Sequence, residues 1–223
     1  YLCVIAALLL LPRDAARVHC QISVLKSMSE GVSFLRERSN LRLMLMLVAL
    51  FAFGAAPMVT LLPAIAKNLL NEEVAGYSIL MTSFGVGAAI AGVFMAFYRP
   101  EKFDQRWIIG AAFVIGISQS AIAFLPGMIF AVSCCFFAGM AFVGTMIELG
   151  TGLLSQTPDE FRGRISGVQQ LCFRVAQPFG GLIAGLLAQN AGVKVAFVVF
   201  GTALIVGVVV TTYVPSPRHH TQS

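Results

Sequence analysis

Glu148 and Arg174 are ionisable residues that lie deep inside apolar stretches of this sequence, and they are the first candidates for chemistry. A charge in the hydrocarbon core of a membrane costs about 3 kcal/mol or more, so it faces the interior of a helix bundle and usually has a partner. Burial favours the neutral form of a carboxyl group, whereas a neighbouring cation favours the charged form. We therefore predict that Glu148 binds protons and that Arg174 is its partner.

Amide and hydroxyl side chains accompany both charges. Gln170, Arg174 and Gln177 recur at steps of four and three, which places them on one face of a helix. Thr145 lies three residues before Glu148 and shares its helical face. Because consecutive helices joined by a short turn are often neighbours, we predict that the two faces form one polar patch that contacts substrate, water or protons. The alternative is structural, with the charged pair locking two helices together.

The composition is that of a membrane protein. Of the 223 residues, 58% are hydrophobic and 11% are charged, and the mean hydropathy is +0.86. Soluble domains carry about 25% charged residues. The 15 basic residues outnumber the 10 acidic ones, but they lie in alternate loops, which indicates membrane topology and argues against nucleic acid as a partner. The predicted partners are the lipid bilayer and small molecules.

Six apolar stretches are long enough to cross a bilayer, which takes about 20 residues. They cover approximately residues 43–66, 74–97, 107–125, 128–154, 166–188 and 195–214. A short charged turn at residues 158–164 leads into the fifth. The predicted fold is therefore an all-α, polytopic membrane helix bundle with six transmembrane helices over residues 43–214.

The flanking segments differ in character from the spans. Residues 1–12 are apolar but too short to cross a bilayer, and we predict that they end a truncated transmembrane helix. Residues 13–42 form a basic connector with an amphipathic helix, and residues 215–223 form a polar tail. Twelve Lys and Arg residues lie in the connections on one side and two on the other, which predicts a cytoplasmic connector and a cytoplasmic C-terminus.

A short glycine pattern occurs twice in the spans. Residues 87–92 read GAAIAG in the second span, and residues 180–185 read GGLIAG in the fifth. The copies lie 93 residues and three spans apart, so they run through the membrane in opposite directions. An inverted three-plus-three repeat of this kind occurs in secondary transporters, and small residues at such positions allow helices to pack closely.

Helix-breaking and polar residues interrupt two other spans. Pro57 and Pro63 lie in the first span, where proline bends a helix and frees backbone carbonyls that neighbouring helices or water must satisfy. Ser118, Gln119 and Ser120 lie in the third span. We interpret these three residues as helix–helix hydrogen-bonding groups, with a direct role in chemistry as the weaker alternative.

Several kinds of site are not indicated by the sequence. Its five cysteines form no CxxC or Cys/His cluster and are interpreted as small apolar residues. The sequence contains no P-loop, dinucleotide fingerprint, zinc spacing or nucleophile elbow. We therefore predict a protein that is not an enzyme and that has no cofactor and no metal.

Five segments carry a resemblance to the major facilitator superfamily of transporters. Residues 57–63 (PMVTLLP), 76–80 (GYSIL) and 83–88 (SFGVGA) look like its seventh and eighth helices. Residues 157–167 (TPDEFRGRISG) and 30–36 (EGVSFLR) are similar to loop segments of its bacterial efflux branch, which includes enterobactin-exporter-like and macrolide-efflux-like proteins. The loop at residues 98–106 departs from the family and keeps only the basic character of its signature.

The resemblance covers nearly the whole chain but only the C-terminal half of such a transporter. It implies alternating access with a missing N-terminal half, in the bacterial inner (plasma) membrane, and proton-coupled export of a small amphipathic molecule such as a drug or siderophore. A uniporter or importer of the same superfamily is the nearest alternative. A non-transporting membrane scaffold subunit is the second alternative.

Overall fold

A computed structural model describes residues 38–70, 74–97, 105–124 and 127–213, and within these ranges the chain is helical with short turns and no strand. The predicted helix end at residues 1–12, nearly all of the connector and the tail at 215–223 lie outside the described residues. The helices, numbered in chain order, are α1 Ser39–Gly54, α2 Ala56–Thr60, α3 Leu62–Leu70, α4 Val74–Phe97, α5 Gln105–Phe124, α6 Met128–Ser155, α7 Asp159–Ala191 and α8 Val193–Tyr213.

Among the described residues, six helical units are long and apolar enough to cross a membrane. The first unit is Ser39–Lys67, which combines α1, α2 and most of α3, and the other five coincide with α4 to α8. This confirms the predicted all-α bundle with six candidate spans.

The fifth span starts earlier than the sequence suggested. We expected a charged turn at residues 158–164, but α7 begins at Asp159 and runs for 33 residues, about 50 Å at 1.5 Å per residue. Pro158 precedes the helix, and Asp159 and Glu160 occupy its first turn, where acidic groups interact favourably with the helix dipole. Arg162 Nη1 lies 2.7 Å from Asp159 Oδ1. The charged segment is therefore the first two turns of α7.

The first span is broken twice. α1 ends at Gly54 and α2 ends at Thr60, so that Ala55 and Leu61 separate the three pieces. Pro57 lies at the start of α2, where the lack of a backbone N–H is tolerated. Met58 N–H donates to the Ala55 carbonyl at 3.0 Å, which tightens the turn at the first break. The predicted bend of this span is therefore concentrated at short turns.

Glycines mark three close helix crossings. A Cβ added at Gly87 of α4 would overlap the Phe136 carbonyl oxygen of α6, and one at Gly180 of α7 would overlap the Phe53 carbonyl oxygen of α1. These two glycines begin the two copies of the repeated sequence pattern. At the α5–α8 crossing, a Cβ on Gly116 or Gly201 would lie 2.7 Å from the other residue's carbonyl oxygen. The pattern of crossings is the one that an inverted repeat of three spans would produce.

Burial is distributed unevenly among the spans. Two apolar clusters fill the bundle, one near the α6–α7 turn, to which α1 contributes, and one toward the opposite end, to which α2 and α3 contribute. The most apolar stretch of the first span is 61% buried, whereas that of α7 is 11% buried. The first span is thus central, and α7 presents most of its surface to whatever surrounds these residues.

Candidate functional site

Glu148 and Thr145 lie inside the bundle, on one face of α6. Glu148 is 4% exposed and Thr145 is 0% exposed. The Thr145 hydroxyl donates to the Ala141 carbonyl at 2.8 Å, so its own helix satisfies this donor. Glu148 lies seven residues before the end of α6, about 10 Å along the axis, and makes a further polar or electrostatic interaction. A carboxyl group is therefore buried in an apolar span, as predicted from the sequence.

The polar residues of α7 lie in a different environment. Gln170 and Arg174 are exposed, and Gln177 is half-buried. Arg174 lies 15 residues into the 33-residue helix, about 22 Å from the start and hence near its middle, and its pairing with Glu148 stays a prediction. The five predicted site residues thus fall into a buried pair on α6 and a more accessible group on α7.

Gln169, which the sequence analysis did not single out, connects the two helices. Its Nε2 atom would lie 3.3 Å from a Cβ added at Gly150 of α6, which is two residues beyond Glu148 and on a different face of the helix. The missing side chain at Gly150 leaves room for this amide. Periodicity could not separate Gln169 from Gln170, because the helical phase of α7 relative to α6 decides which glutamine points inward.

The polar face of α7 reaches the broken first span at its other end. Gly181, one turn after Gln177, packs against the Thr60 side chain of α2, and an added Cβ would lie 2.7 Å from Thr60 Cγ2. Thr60 Oγ1 donates to the Ala56 carbonyl at 2.9 Å. The face that carries Gln170, Arg174 and Gln177 is therefore packed at one end and accessible along its middle.

A groove of about 420 Å³ lies between α4 and α6, toward the end of the bundle opposite the α6–α7 turn. Ser83 Oγ donates to the Val132 carbonyl at 2.7 Å and joins the two helices there. Thr82 is exposed beside it. The lining residues are Ser78, Ile79, Thr82, Ser83, Val86, Val132 and Phe136. The groove is open to its surroundings, and its lining is mostly apolar.

The basic residues near the α6–α7 turn contact groups within the turn and beside it. Arg162 Nε donates to the Thr157 carbonyl at 3.3 Å, in addition to the ion pair with Asp159. The Arg164 guanidinium lies 5.2 Å from the centre of the Phe161 ring. Arg38 Nη1 contacts the Gln156 carbonyl at 3.4 Å, which connects the turn to the start of the first span. These contacts hold the turn in place.

A bundle of six membrane-length helices with glycine-mediated crossings defines a class, the polytopic membrane proteins. Comparison with known proteins places the chain more closely. It belongs to the transmembrane secretion effector family of the major facilitator superfamily, whose family profile matches residues 1–223.

Relatives of this chain include efflux proteins. It is 27% identical over 184 residues to macrolide efflux protein A of Streptococcus pyogenes, a match that covers 81% of this chain and 45% of the relative. It is 26% identical over 140 residues to the multidrug efflux pump Tap of Mycolicibacterium fortuitum, which covers 62% of this chain and 34% of the pump. The chain thus spans about half the length, or less, of the relatives it matches.

Proposed function

We propose that this chain is the C-terminal half of a proton-coupled exporter of small amphipathic molecules that works by alternating access. The observation that carries the proposal is Glu148, a carboxyl group 4% exposed within an apolar span. A group in such a position can exchange a proton as the cavity opens to one side and then the other. The relatives support export as the direction.

The exposed face of α7 supports a partner other than lipid. Arg174 and Gln170 are exposed near the middle of a membrane-length helix, and a cation facing hydrocarbon there is costly. A water-filled cavity shared with an N-terminal half of six further spans would give these side chains a polar environment. In this arrangement Gln170, Arg174 and Gln177 line the cavity, and the Glu148 region lies behind them.

The groove between α4 and α6 supports an amphipathic substrate. It offers an apolar lining with the accessible hydroxyl of Thr82 and no ionisable side chain. Such a surface accommodates aromatic or aliphatic rings, while the polar residues of α7 accept the polar part of the molecule. The substrate, the protons and the N-terminal half are the partners that this function requires.

The proposed location is the bacterial inner membrane, with the α6–α7 turn and the C-terminus in the cytoplasm. The positive-inside rule and the predominance of Lys and Arg on that side support this orientation. The buried carboxyl group then lies about 10 Å from the cytoplasmic end of α6.

Flux in inverted membrane vesicles tests the function. The full-length transporter that contains this chain should accumulate a labelled macrolide and a cationic amphipathic dye when a proton gradient is imposed. Glu148→Gln should reduce this uphill accumulation about tenfold or more, yet retain substrate counterflow, because the neutral amide mimics one protonation state. Glu160→Gln is the matched control, since Glu160 is an exposed acid at the start of α7.

Three outcomes would contradict the proposal. Full accumulation by Glu148→Gln would remove this residue from coupling. Wild-type flux that ignores the proton gradient would indicate a uniporter or a different coupling ion, and no flux of any tested amphipathic compound would favour the scaffold alternative. We also expect no transport from residues 1–223 alone, so robust flux from the isolated chain would show that a second half is not required.

A further inference from the structure

The first break in the first span leaves main-chain carbonyls without their usual helical donors. Pro57 has no N–H to donate to the Phe53 carbonyl, and the Met58 N–H donates to Ala55 instead of reaching Gly54 four residues back. Both carbonyls lie at the middle of a membrane span. The Ala55 N–H faces the Phe53 carbonyl. An unsatisfied Gly54 carbonyl at this depth would cost several kcal/mol, so a neighbouring helix has to supply its donor.

Gln119 of α5 supplies one such donor. Its Nε2 donates to the Gly54 carbonyl oxygen at 2.9 Å, and its side chain is 0% exposed. Because the acceptor is a carbonyl, only the Nε2 end of the amide can face it, so the orientation of the side chain is determined. Gln119 Oε1 has no hydrogen-bond partner among the described residues. Gln119 therefore satisfies the Gly54 carbonyl, although its own Oε1 atom is buried without a hydrogen bond.

Two side chains near the α5–α8 crossing contact Gly54 at this break. Gly116 and Gly201 allow the two backbones to meet, and Gln119 lies one turn after Gly116. One turn after Gly201, the Leu204 side chain packs on Gly54, where an added Cβ would lie 2.8 Å from Leu204 Cδ1. The end of α1 is therefore held by an amide from α5 and by an apolar side chain from α8.

The break also determines how the first span meets α7. Gly180 packs against Phe53 and Ala56 on the two sides of the break, and Gly181 packs against Thr60. Straightening the span would displace Ala56 and Thr60 relative to Phe53. The α7 helix that carries the accessible polar face would then lose this fitted contact.

We propose that Gln119 is a positioning residue that keeps the first span broken, and that the proposed transport cycle requires the broken form. Gln119 acts through Gly54 and not through substrate. The requirement of the transport cycle for the broken form rests on the proposed transport function. The effect of Gln119 on the conformation of the span is testable without any substrate.

A double-mutant cycle in the full-length transporter tests the proposal. Pro57→Ala restores an N–H for the Phe53 carbonyl and lets Met58 return to Gly54, which removes the need for Gln119. Gln119→Leu removes the donor, and each single variant should lower the transport rate about tenfold, as expected for a buried hydrogen bond. The double variant should be no slower than the slower single variant. Ser118→Ala, at a buried neighbouring position, is the control and should keep the wild-type rate.

Distance measurements distinguish a specific effect of the Gln119–Gly54 hydrogen bond on the first span from a general loss of packing. Spin labels at the exposed positions Met46 and Lys67 lie on the two sides of the break. Gln119→Leu and Pro57→Ala should shift the label-to-label distance distribution in the same direction, and Ser118→Ala should leave it unchanged. An unchanged distribution in Gln119→Leu overturns the proposal whether or not the protein transports. A shifted distribution with full transport, or additive losses in the double variant, overturns the requirement for the broken form.

Discussion

Gly87 of α4 and Gly139 of α6 form a reciprocal contact, in which each glycine lies against the main-chain carbonyl three residues before the other. A Cβ at Gly87 would overlap the Phe136 carbonyl oxygen, and a Cβ at Gly139 would overlap that of Phe84. Backbones at this separation permit Cα–H···O contacts, which recur at helix–helix interfaces. The two helices therefore pack along their backbones, below the groove that opens beside Phe136.

We expect Gly87→Leu to disrupt this crossing. The added side chain meets main-chain atoms, which cannot move aside as a side chain does, so we expect a loss of about 3 kcal/mol or more. Thermal unfolding of the full-length transporter in detergent, with expression level as a second readout, measures the effect. Gly85→Leu on the same helix is the control, because an added Cβ there has nothing within 4 Å. Equal stability of the two variants would contradict the contact.

The second copy of the glycine pattern should behave in the same way. Gly180→Leu would bring a side chain onto the Phe53 carbonyl and Ala56, whereas an added Cβ at Gly185 has nothing within 4 Å. We therefore expect Gly180→Leu to destabilise the protein about as much as Gly87→Leu and Gly185→Leu to have a small effect. The same unfolding assay compares them. A severe effect of Gly185→Leu would show that the second half of the pattern also carries a contact, for example with another part of the full-length protein.

The sequence predicted these helices well because span length and hydropathy are properties of continuous segments. It also predicted that Pro57 would free carbonyls and that the Ser118–Ser120 segment would donate between helices, and Gln119 does bond to Gly54. Ser120 instead donates to Gly116 of its own helix at 2.9 Å. Whether a polar side chain of α5 bonds to another helix or to its own depends on which face of α5 meets α1. A single sequence does not give this rotation of the helix about its axis.

The candidate site was predicted less completely, for a related physical reason. The cost of an intramembrane charge correctly indicated a buried Glu148, but the same rule does not distinguish a charge facing its own bundle from one facing a surface outside these residues. Arg174 is of the second kind here, and its pairing with Glu148 stays a prediction. Gln169 was missed because amide spacing alone gives no rotation of α7 about its axis.

The roles of the two adjacent glutamines can be separated by substitution. Gln169→Ala removes the amide that lies beside Gly150 of α6, and Gln170→Ala removes an exposed amide from the proposed cavity wall. We expect Gln169→Ala to lower the free energy of unfolding of the full-length transporter by about 1 kcal/mol with little change in KM, and Gln170→Ala to raise KM about threefold to tenfold, as for a lost hydrogen bond. Thermal unfolding in detergent and flux against substrate concentration measure the two effects. A KM effect confined to Gln169→Ala would reverse the assignment.

Filling the groove between α4 and α6 tests it as a substrate surface. Thr82→Trp places a large ring among the lining residues, whereas Ile90→Trp enlarges an exposed residue of α4 outside the groove. We expect Thr82→Trp to raise KM for a macrolide more than for a small dye, because less volume remains for the larger molecule. Ile90→Trp should match the wild type for both. Unchanged KM values for Thr82→Trp would exclude the groove from the substrate path.

The proposed orientation predicts the behaviour of fusions and also of charge substitutions at the α6–α7 turn. Alkaline phosphatase is active only outside the cytoplasm, so a fusion after Phe124 should be active and one after Gln156 inactive. Arg162→Gln combined with Arg164→Gln should leave this pattern unchanged, since ten of the twelve basic residues on that side remain to orient the spans. The double variant should instead loosen the turn, because it removes the Arg162 contacts with Asp159 and Thr157. An inverted pattern of fusion activities would reverse the orientation and put Glu148 near the outer surface, where it would receive its proton from the opposite side.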